Sequence, residues 1–259
     1  MPNESDEAFP GWDWLNPEAA GERLEEFSAD IARCAKLETV APAVPRERAQ
    51  LAELGVTGIE FAAFRTIHPT GLASDLAPLN SPEASAELGP LYRVDGESLF
   101  TRLDIGAALP FADASVDWVY AEHLLEHVTP RVAVGWLTEV RRILAPGGLL
   151  RLSTPDLAKY VEGYQDGQAF YAKHRRRLSL MRVGPPMPER KAFMFNQIFY
   201  LYGHSWIYDL AEVGFVLEQA GFAAQDVQAR AYQQGVRPDV AALDTAFRRD
   251  ESLYVEVSV

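Results

Sequence analysis

The chain has 259 residues, 48% of them hydrophobic, which is enough for one well-buried α/β domain with additions or for two small domains. Its 24 basic and 37 acidic residues give a net charge of −13 (24 − 37), which opposes non-specific binding to nucleic acid and favours a small-molecule substrate. A single cysteine, Cys34, excludes an internal disulfide framework. No apolar run approaches the roughly 20 residues of a membrane helix, and the acidic N-terminus lacks the features of a signal peptide, so we expect a cytoplasmic protein.

Residues 1–54 are predicted to form an acidic, largely helical segment ahead of the main domain. Apolar residues recur at near-helical spacing, which predicts a helix over about residues 17–37. Pro42 and Pro45 then break the chain, and a second short helix is expected over residues 46–54.

Strand-like and helix-like segments alternate over residues 55–259, which predicts a mostly parallel sheet with helices on both faces. Residues 160–208 interrupt this alternation and hold eleven Phe, Tyr or Trp residues, which is typical of an inserted cap. The predicted strands cover about residues 58–64, 71–76, 91–94, 99–105, 117–121, 149–154, 226–231 and 253–259, and the main helices cover 131–144 and 210–220.

The most informative stretch is residues 109–127, where a short β-favouring run ends in a cluster of ionisable side chains. Glu122, His123, Glu126 and His127 follow where that strand would end. Ligands bind at the carboxyl ends of strands in open parallel sheets, so this cluster is a candidate site. The alternative, a buried strand followed by a solvated helix start, stays open.

Three runs of the sequence carry a family resemblance: LPFADASVDWVY at 109–120, LLEH at 124–127 and RILAPGG at 142–148. In this order they resemble the class I S-adenosylmethionine (SAM)-dependent methyltransferases, in particular the small methyltransferase-11-like family, over about residues 59–224. The resemblance implies an α/β fold with a doubly wound, mostly parallel, seven-stranded Rossmann-like sheet, and SAM as the cofactor. It also implies that residues 1–54 form a lid on a domain at 55–259 whose cap is inserted at 160–208.

The cofactor loop departs from the family pattern. In the family the first strand ends in a Gly-x-Gly turn, where the backbone bends sharply beside the ligand. Here Ala62-Ala63-Phe64 stands at that turn, so Ala62 and Phe64 are the expected cofactor contacts. Either the loop follows a wider path and still binds SAM, or Phe64 fills the space of the methionine part and the site is altered or lost.

Four further residues are expected to contact SAM on the strength of the resemblance. Asp75 would accept hydrogen bonds from both ribose hydroxyls, with helix capping as its alternative role. Asp104 and Ile105 resemble the family's adenine-binding pair, in which the acid accepts from the exocyclic amine and the apolar side chain packs on the ring. Glu122 would lie near the positively charged methionine end.

Two histidines, His204 and His123, are candidate catalytic bases. The run at 202–208 resembles the family's junction between cap and helix, in which His204 would face the active site. His123 is a candidate because imidazole titrates near neutral pH. Glu122, Glu126 and His127 are candidate ligands for the divalent metal that some related O-methyltransferases bind here, where it would ease ionisation of a hydroxyl. The preferred interpretation has no metal. In it, Glu126 and His127 hydrogen-bond to neighbouring backbone and stabilise the end of the strand.

The leading prediction is methyl transfer from SAM to an oxygen or nitrogen of a small molecule, in secondary metabolism. The basic run at 173–177 and the aromatic cap suit an anionic or aromatic acceptor, while nucleic acid and membrane are not expected as partners. The alternative is a methyltransferase-fold protein that does not methylate, such as a cyclase, an isomerase, or a binding or regulatory partner. The altered loop at 62–64 motivates that alternative.

Overall fold

The computed structural model describes residues 31–165, 168–180, 189–200 and 202–259, so most of the helix predicted over 17–37 lies outside them. In these described residues, no helix combines the length and apolar character needed to cross a bilayer. The strands are β1 (Leu37–Ala41), β2 (Gly58–Phe61), β3 (Gly71–Asp75), β4 (Leu91–Val94), β5 (Ser98–Arg102), β6 (Val116–Glu122), β7 (Leu144–Pro155), β8 (Gln228–Arg230) and β9 (Ser252–Ser258). The helices are α1 (Arg48–Glu53), α2 (Pro130–Ile143), α3 (Leu157–Gln165), α4 (Gln168–Leu180), α5 (Lys191–Tyr200), α6 (Leu210–Gln219) and α7 (Pro238–Ala241).

The nine strands of the described residues belong to one sheet, in the order β1-β4-β5-β3-β2-β6-β7-β9-β8. The central strands β5, β3, β2, β6 and β7 are parallel, and β9 is antiparallel to both of its neighbours. The expected doubly wound, mostly parallel α/β fold is therefore confirmed. The expected count of seven strands is corrected to nine in this part of the chain, because β4 and β1 extend the sheet in antiparallel fashion beyond β5.

Strand β1 corrects the prediction for the N-terminal segment, where a helix was expected to continue to residue 37. Residues 37–41 instead pair with β4. The Asp95 carboxylate accepts hydrogen bonds from the backbone N–H groups of Ala35 and Lys36, both at 2.8 Å. These bonds use the donors that a continuing helix would need, and the β-branched Val40 favours an extended backbone.

The parallel register brings the carboxyl ends of the central strands to one edge of the sheet. Phe61, the last residue of β2, lies opposite Ser74 of β3 and Ala121 of β6. Glu122, the last residue of β6, lies opposite Ser153 of β7. The residues that follow these strands therefore meet at the edge where open parallel sheets bind their ligands.

Helix α2 packs its apolar face on the sheet. Its Trp136 is buried and meets Phe61 of β2 edge-on, with ring centroids 5.3 Å apart. The Thr129 side chain caps the helix, and Pro130 occupies its first turn, where the missing N–H costs nothing. The predicted helix over 131–144 is confirmed, with each end one residue earlier.

The cap helices α3, α4 and α5 have a core of their own. Tyr160, Tyr171, Met194 and Ile198 are buried together, and the Tyr171 hydroxyl donates a hydrogen bond to the Tyr160 carbonyl at 2.9 Å. Much of the aromatic content of residues 160–208 is therefore used to pack these helices.

A buried ion network ties β7 and β9 to the segment that precedes β9. The Arg151 Nε atom donates to Asp244 Oδ1, and its Nη1 donates to Glu256 Oε1, both at 2.9 Å. All three side chains are buried. Asp244 also accepts from the backbone N–H of Gln233, so the network holds in place the loop that continues toward the sheet edge.

Candidate active site

A cavity of about 860 Å³ opens at the carboxyl ends of β2, β3 and β6. Its sheet side includes Ala62, Asp75 and Glu122, and its other wall includes His174 and Ile198 from the cap helices. A cavity of this size lies in the range of small-molecule sites. Glu122, His123 and His127 of the cluster therefore line a cavity and do not lie on a solvated helix start.

The turn after β2 has a left-handed backbone conformation that is typical of glycine, although no glycine is present in it. Ala62 has φ +55°, in the left-handed region that favours glycine. The following Ala63 N–H donates to the Ser74 carbonyl at 2.9 Å, which fixes the turn to β3. Phe64 lines the cavity, but it also packs against the buried cluster that contains Tyr92 and Phe100. The alanine thus supports the sharp bend that backbone contact with a ligand requires.

Asp75 lies where the sequence predicts a ribose contact. Its carboxylate lines the cavity, and Oδ1 accepts from the Ala77 N–H at 3.0 Å. Burial raises the pKa of Asp75, against the opposing effect of the Ala77 and Leu76 N–H groups. The carboxylate is thus only partly compensated, as expected of a group that accepts further hydrogen bonds from a ligand.

The structure separates the predicted adenine pair. Ile105 lines the cavity, half-buried. Asp104 is exposed and is not among the lining residues, and its Oδ1 accepts from the Gly106 N–H at 2.8 Å. Asp104 therefore stabilises the turn after β5, whereas Ile105 can pack against a ligand.

Glu122 lines the cavity, but both of its carboxylate oxygens are engaged. Oε1 accepts from the Thr245 N–H and Oε2 from the Thr245 hydroxyl, both at 2.9 Å. Glu122 thereby joins the end of β6 to the loop before β9. That loop was not expected at the site, yet it contributes Phe247, Arg248 and Glu251 to the cavity lining.

His123 is held from both sides of its ring. Nδ1 lies 3.1 Å from Glu126 Oε1, and Nε2 lies 2.6 Å from the Ser252 hydroxyl, which itself donates to the Arg248 carbonyl at 2.8 Å. Because the Ser252 hydroxyl donates its one hydrogen to that carbonyl, His123 Nε2 is the donor toward Ser252. Nε2 is thus engaged by Ser252 and Nδ1 faces the Glu126 carboxylate, so this geometry gives His123 a positioning role.

Glu126 is fully buried beneath the site. Its Oε2 accepts from the Thr154 hydroxyl at 3.0 Å, and its backbone carbonyl accepts from the Ser205 N–H at 2.7 Å. Burial is the largest effect and acts to raise the pKa of Glu126, but His123, His127 and His204 together outweigh it, and the pKa is lowered. The carboxylate is thus ionised and supports the histidines around it.

His204 has the geometry of a base. Its Nδ1 donates to the Ile198 carbonyl at 2.5 Å, which leaves Nε2 as the acceptor. Burial lowers the pKa of His204 to about 4, so the ring is neutral near pH 7. The neighbouring His127 ring lies edge-on, with centroids 4.8 Å apart, and burial also lowers the pKa of His127. Both histidines line the cavity.

The fold brings together a group of potential metal ligands that differs from the expected one. Glu126, His127 and His204 have ligand atoms within 4.8 Å of one another. Glu122 is not part of this group, because the Glu122 carboxylate is hydrogen-bonded to Thr245. His204 takes its place in the group. The sequence could not indicate this grouping, because His204 is 77 residues from His127 and reaches it through the cap.

Further lining residues come from segments outside the motif at 109–127. His174 and Arg177 lie on α4, Tyr202 follows α5, and Glu251 precedes β9. The basic run at 173–177 was a signal for the first two. Tyr202 begins the run at 202–208 that resembles the family's junction between cap and helix, whereas nothing in the sequence around Glu251 distinguished it.

A family model described as a methyltransferase domain matches residues 53–152, and no curated protein matches the chain. One similar solved structure is an S-adenosylmethionine-dependent methyltransferase from Mesorhizobium loti, with 17% identity and a TM-score of 0.43, covering 84% of this chain and 93% of that one. Another is a SAM-dependent methyltransferase from Archaeoglobus fulgidus, with 11% identity and a TM-score of 0.40, covering 82% and 92%. With TM-scores below 0.5, these likenesses carry no argument about the chemistry of this chain.

The matched residues run from the end of α1 into β7 and include the turn at Ala62, Asp75, Ile105 and the 122–127 cluster. The parallel central strands, with the reversed strand β9 beside β7, are the architecture that the sequence motifs implied. The chain therefore contains a methyltransferase domain and has the fold of the class I SAM-dependent methyltransferases, enzymes whose cofactor is SAM.

Proposed function

We propose that this protein transfers a methyl group from SAM to an oxygen or nitrogen of a small molecule, as in secondary metabolism. The observation that supports the proposal is that one cavity joins Ala62, Asp75 and Ile105 at the sheet edge to His204 on the cap side. Its volume of about 860 Å³ is near the upper end for small-molecule sites, which suits a cofactor together with an acceptor.

The residues at the sheet edge fit SAM. The left-handed backbone at Ala62 keeps the bend that lets the chain approach the ligand closely. Asp75 offers a carboxylate for the ribose hydroxyls, and Ile105 offers an apolar surface for the adenine ring. Bound there, SAM would supply a methyl group activated by its sulfonium.

His204 is the proposed base for a hydroxyl acceptor. With Nδ1 engaged by the Ile198 carbonyl, Nε2 is free to take the proton. The buried Glu126 carboxylate stabilises the positive charge that then forms on the ring, as its favourable interaction with His204 indicates. The cap helices hold the acceptor and exclude water, and such positioning accounts for most of the rate in a transfer of this kind.

The competing function is that of a methyltransferase-fold protein that does not methylate. Phe64 favours it, because an aromatic ring lines the cavity where the family has glycine. The same ring also packs against the buried cluster that contains Tyr92 and Phe100. This packing favours methylation, because it directs part of the Phe64 side chain away from the space for the ligand.

Calorimetric titration with SAM and with S-adenosylhomocysteine (SAH) tests the proposal. We expect saturable binding of both, weakened about 10–100-fold by Asp75→Ala because hydrogen bonds to a charged group are lost. The exposed Asp226→Ala is the matched control, with unchanged affinity. No binding to the wild-type protein, together with binding after Ala62→Gly and Phe64→Gly are combined, would establish the competing function.

A further inference from the structure

Two arginines and a tyrosine line the cavity but are not used by the proposed chemistry. We call the part of the lining that they form the cap wall. Arg177 lies on α4, Tyr202 follows α5, and Arg248 lies in the loop before β9. All three line the same cavity as His204.

Arg177 is held on one side and unsatisfied on the other. Its Nη2 donates to His174 Nδ1 and lies 3.4 Å from Glu251 Oε2. Its Nη1 is buried and has no hydrogen-bond partner within the part of the chain that the structure describes. A buried guanidinium N–H without an acceptor is costly, so this atom indicates a place for an acceptor that the described residues do not supply.

The Tyr202 hydroxyl shows the same feature. It is buried, and the described residues offer it no hydrogen-bond partner. Tyr202 and Arg177 therefore present two unsatisfied donors at the cap wall. Two such donors in one wall suit a ligand group with several acceptor oxygens.

Arg248 supplies a charge that its surroundings do not balance. The described residues place no carboxylate within 4.0 Å of its guanidinium, which lies over the Phe247 ring at 5.2 Å from the centroid. Arg248 also acts electrostatically on His127 and Tyr202, both of which line the cavity.

The nearby acids lie beside other groups. Glu251 accepts from the Tyr160 hydroxyl at 2.6 Å and pairs with Arg177. Glu126 Oε2 accepts from the Thr154 hydroxyl, and its Oε1 lies 3.1 Å from His123 Nδ1.

His174 and His204, the histidines on the cap side of the cavity, carry no charge near neutral pH. Burial lowers the pKa of both His174 and His204 to about 4, so both rings are neutral. Among the described residues, Arg248 is therefore a cation on this wall that no carboxylate pairs with.

We infer that the cap wall is an anion subsite, in which Arg248, Arg177 Nη1 and the Tyr202 hydroxyl bind a carboxylate or phosphate group of the methyl acceptor. The inference rests on the proposed function only in assigning the anion to the acceptor. It narrows the substrate class to small molecules that carry an anionic oxygen group, because an arginine fork and a hydroxyl match those oxygens.

Three aromatic probes test the subsite: benzoate, phenyl phosphate and the neutral benzyl alcohol. Each is titrated calorimetrically at fixed ionic strength into the protein alone and into the protein saturated with SAH. We expect at least one anionic probe to bind about 10–100-fold more tightly than benzyl alcohol. The better of the two anions identifies carboxylate or phosphate.

Substitutions then assign the residues. Arg248→Gln removes the anion preference, whereas Arg249→Gln, which removes the same charge from an exposed residue paired with Asp250, leaves it unchanged. Tyr202→Phe weakens anion binding several-fold without lowering the melting temperature of the free protein, because the lost hydroxyl is unpaired there.

Equal binding or no binding of all three probes overturns the inference, and so does an equal loss in Arg248→Gln and Arg249→Gln. SAH affinity is measured on the same samples. If the wild-type protein does not bind SAH but prefers the anionic probes, the proposed function is refuted and the subsite stands. If the wild-type protein binds SAH but shows no preference for the anionic probes, the subsite alone is refuted.

Discussion

Glu60 links the stability of this fold to pH. It lies in the middle of β2, 4% exposed, and its carboxyl group accepts a hydrogen bond from the Thr66 hydroxyl. Burial raises the pKa of Glu60 from 4.5 to about 8, so the folded protein holds a proton that the unfolded chain releases above pH 4.5. The stabilisation is complete below that pH and is lost as pH rises toward 8.

The size of the effect follows from the two pKa values. Each pH unit between them costs about 1.4 kcal/mol, so the wild-type protein loses about 3–4 kcal/mol from this group between pH 5 and pH 8. Glu60→Gln replaces the neutral carboxyl group with a neutral amide of the same shape and removes this loss.

Urea denaturation at pH 5, 6, 7 and 8 measures the effect as the difference between the two proteins, because all other groups titrate equally in both. Glu97→Gln, at an exposed position, is the matched control and should follow the wild-type curve. Parallel curves for Glu60→Gln and wild type would mean that Glu60 is ionised in the folded protein and would refute the reasoning.

Three further predictions concern the turn, the ion network and the base. Ala62→Gly should be about 1–2 kcal/mol more stable than Ala63→Gly in urea denaturation, because only Ala62 has a left-handed backbone. Arg151→Met should destabilise the fold by about 3–5 kcal/mol in the same assay, because the buried Asp244 loses its paired cation and Glu256 keeps only Arg230. His204→Gln should lower kcat about 10²–10⁴-fold for a hydroxyl acceptor, with SAM affinity unchanged, and the wild-type rate should fall as pH drops through about 4.

Each of these predictions has a contrary result. Equal stabilities of the two glycine variants would mean that the turn is not strained. A change below 1 kcal/mol for Arg151→Met would mean that water reaches the network. A His204→Gln enzyme with wild-type kcat would assign the proton to another acceptor.

The sequence predicted the sheet because the signal for each central strand is local. Apolar runs such as those of β2 and β6 are buried in any parallel arrangement, and the motif at 109–127 placed the carboxyl ends of the strands correctly. The strand β1 was missed because its pairing depends on Asp95, about sixty residues away, whose carboxylate captures the N–H groups of Ala35 and Lys36.

By itself, the sequence determined the α/β fold, the position of the cavity and the positions of Asp75 and Ile105, all of which follow from residues close together along the chain. Only the tertiary structure decided which side chains are free to act. His123 and Glu122 were candidates by type, but distant partners, Ser252 and Thr245, engage their ring and carboxylate. Hydrogen-bond partners and burial come from segments far apart in the chain, so a residue type predicts what a group can do, and packing determines whether its lone pair or proton is available.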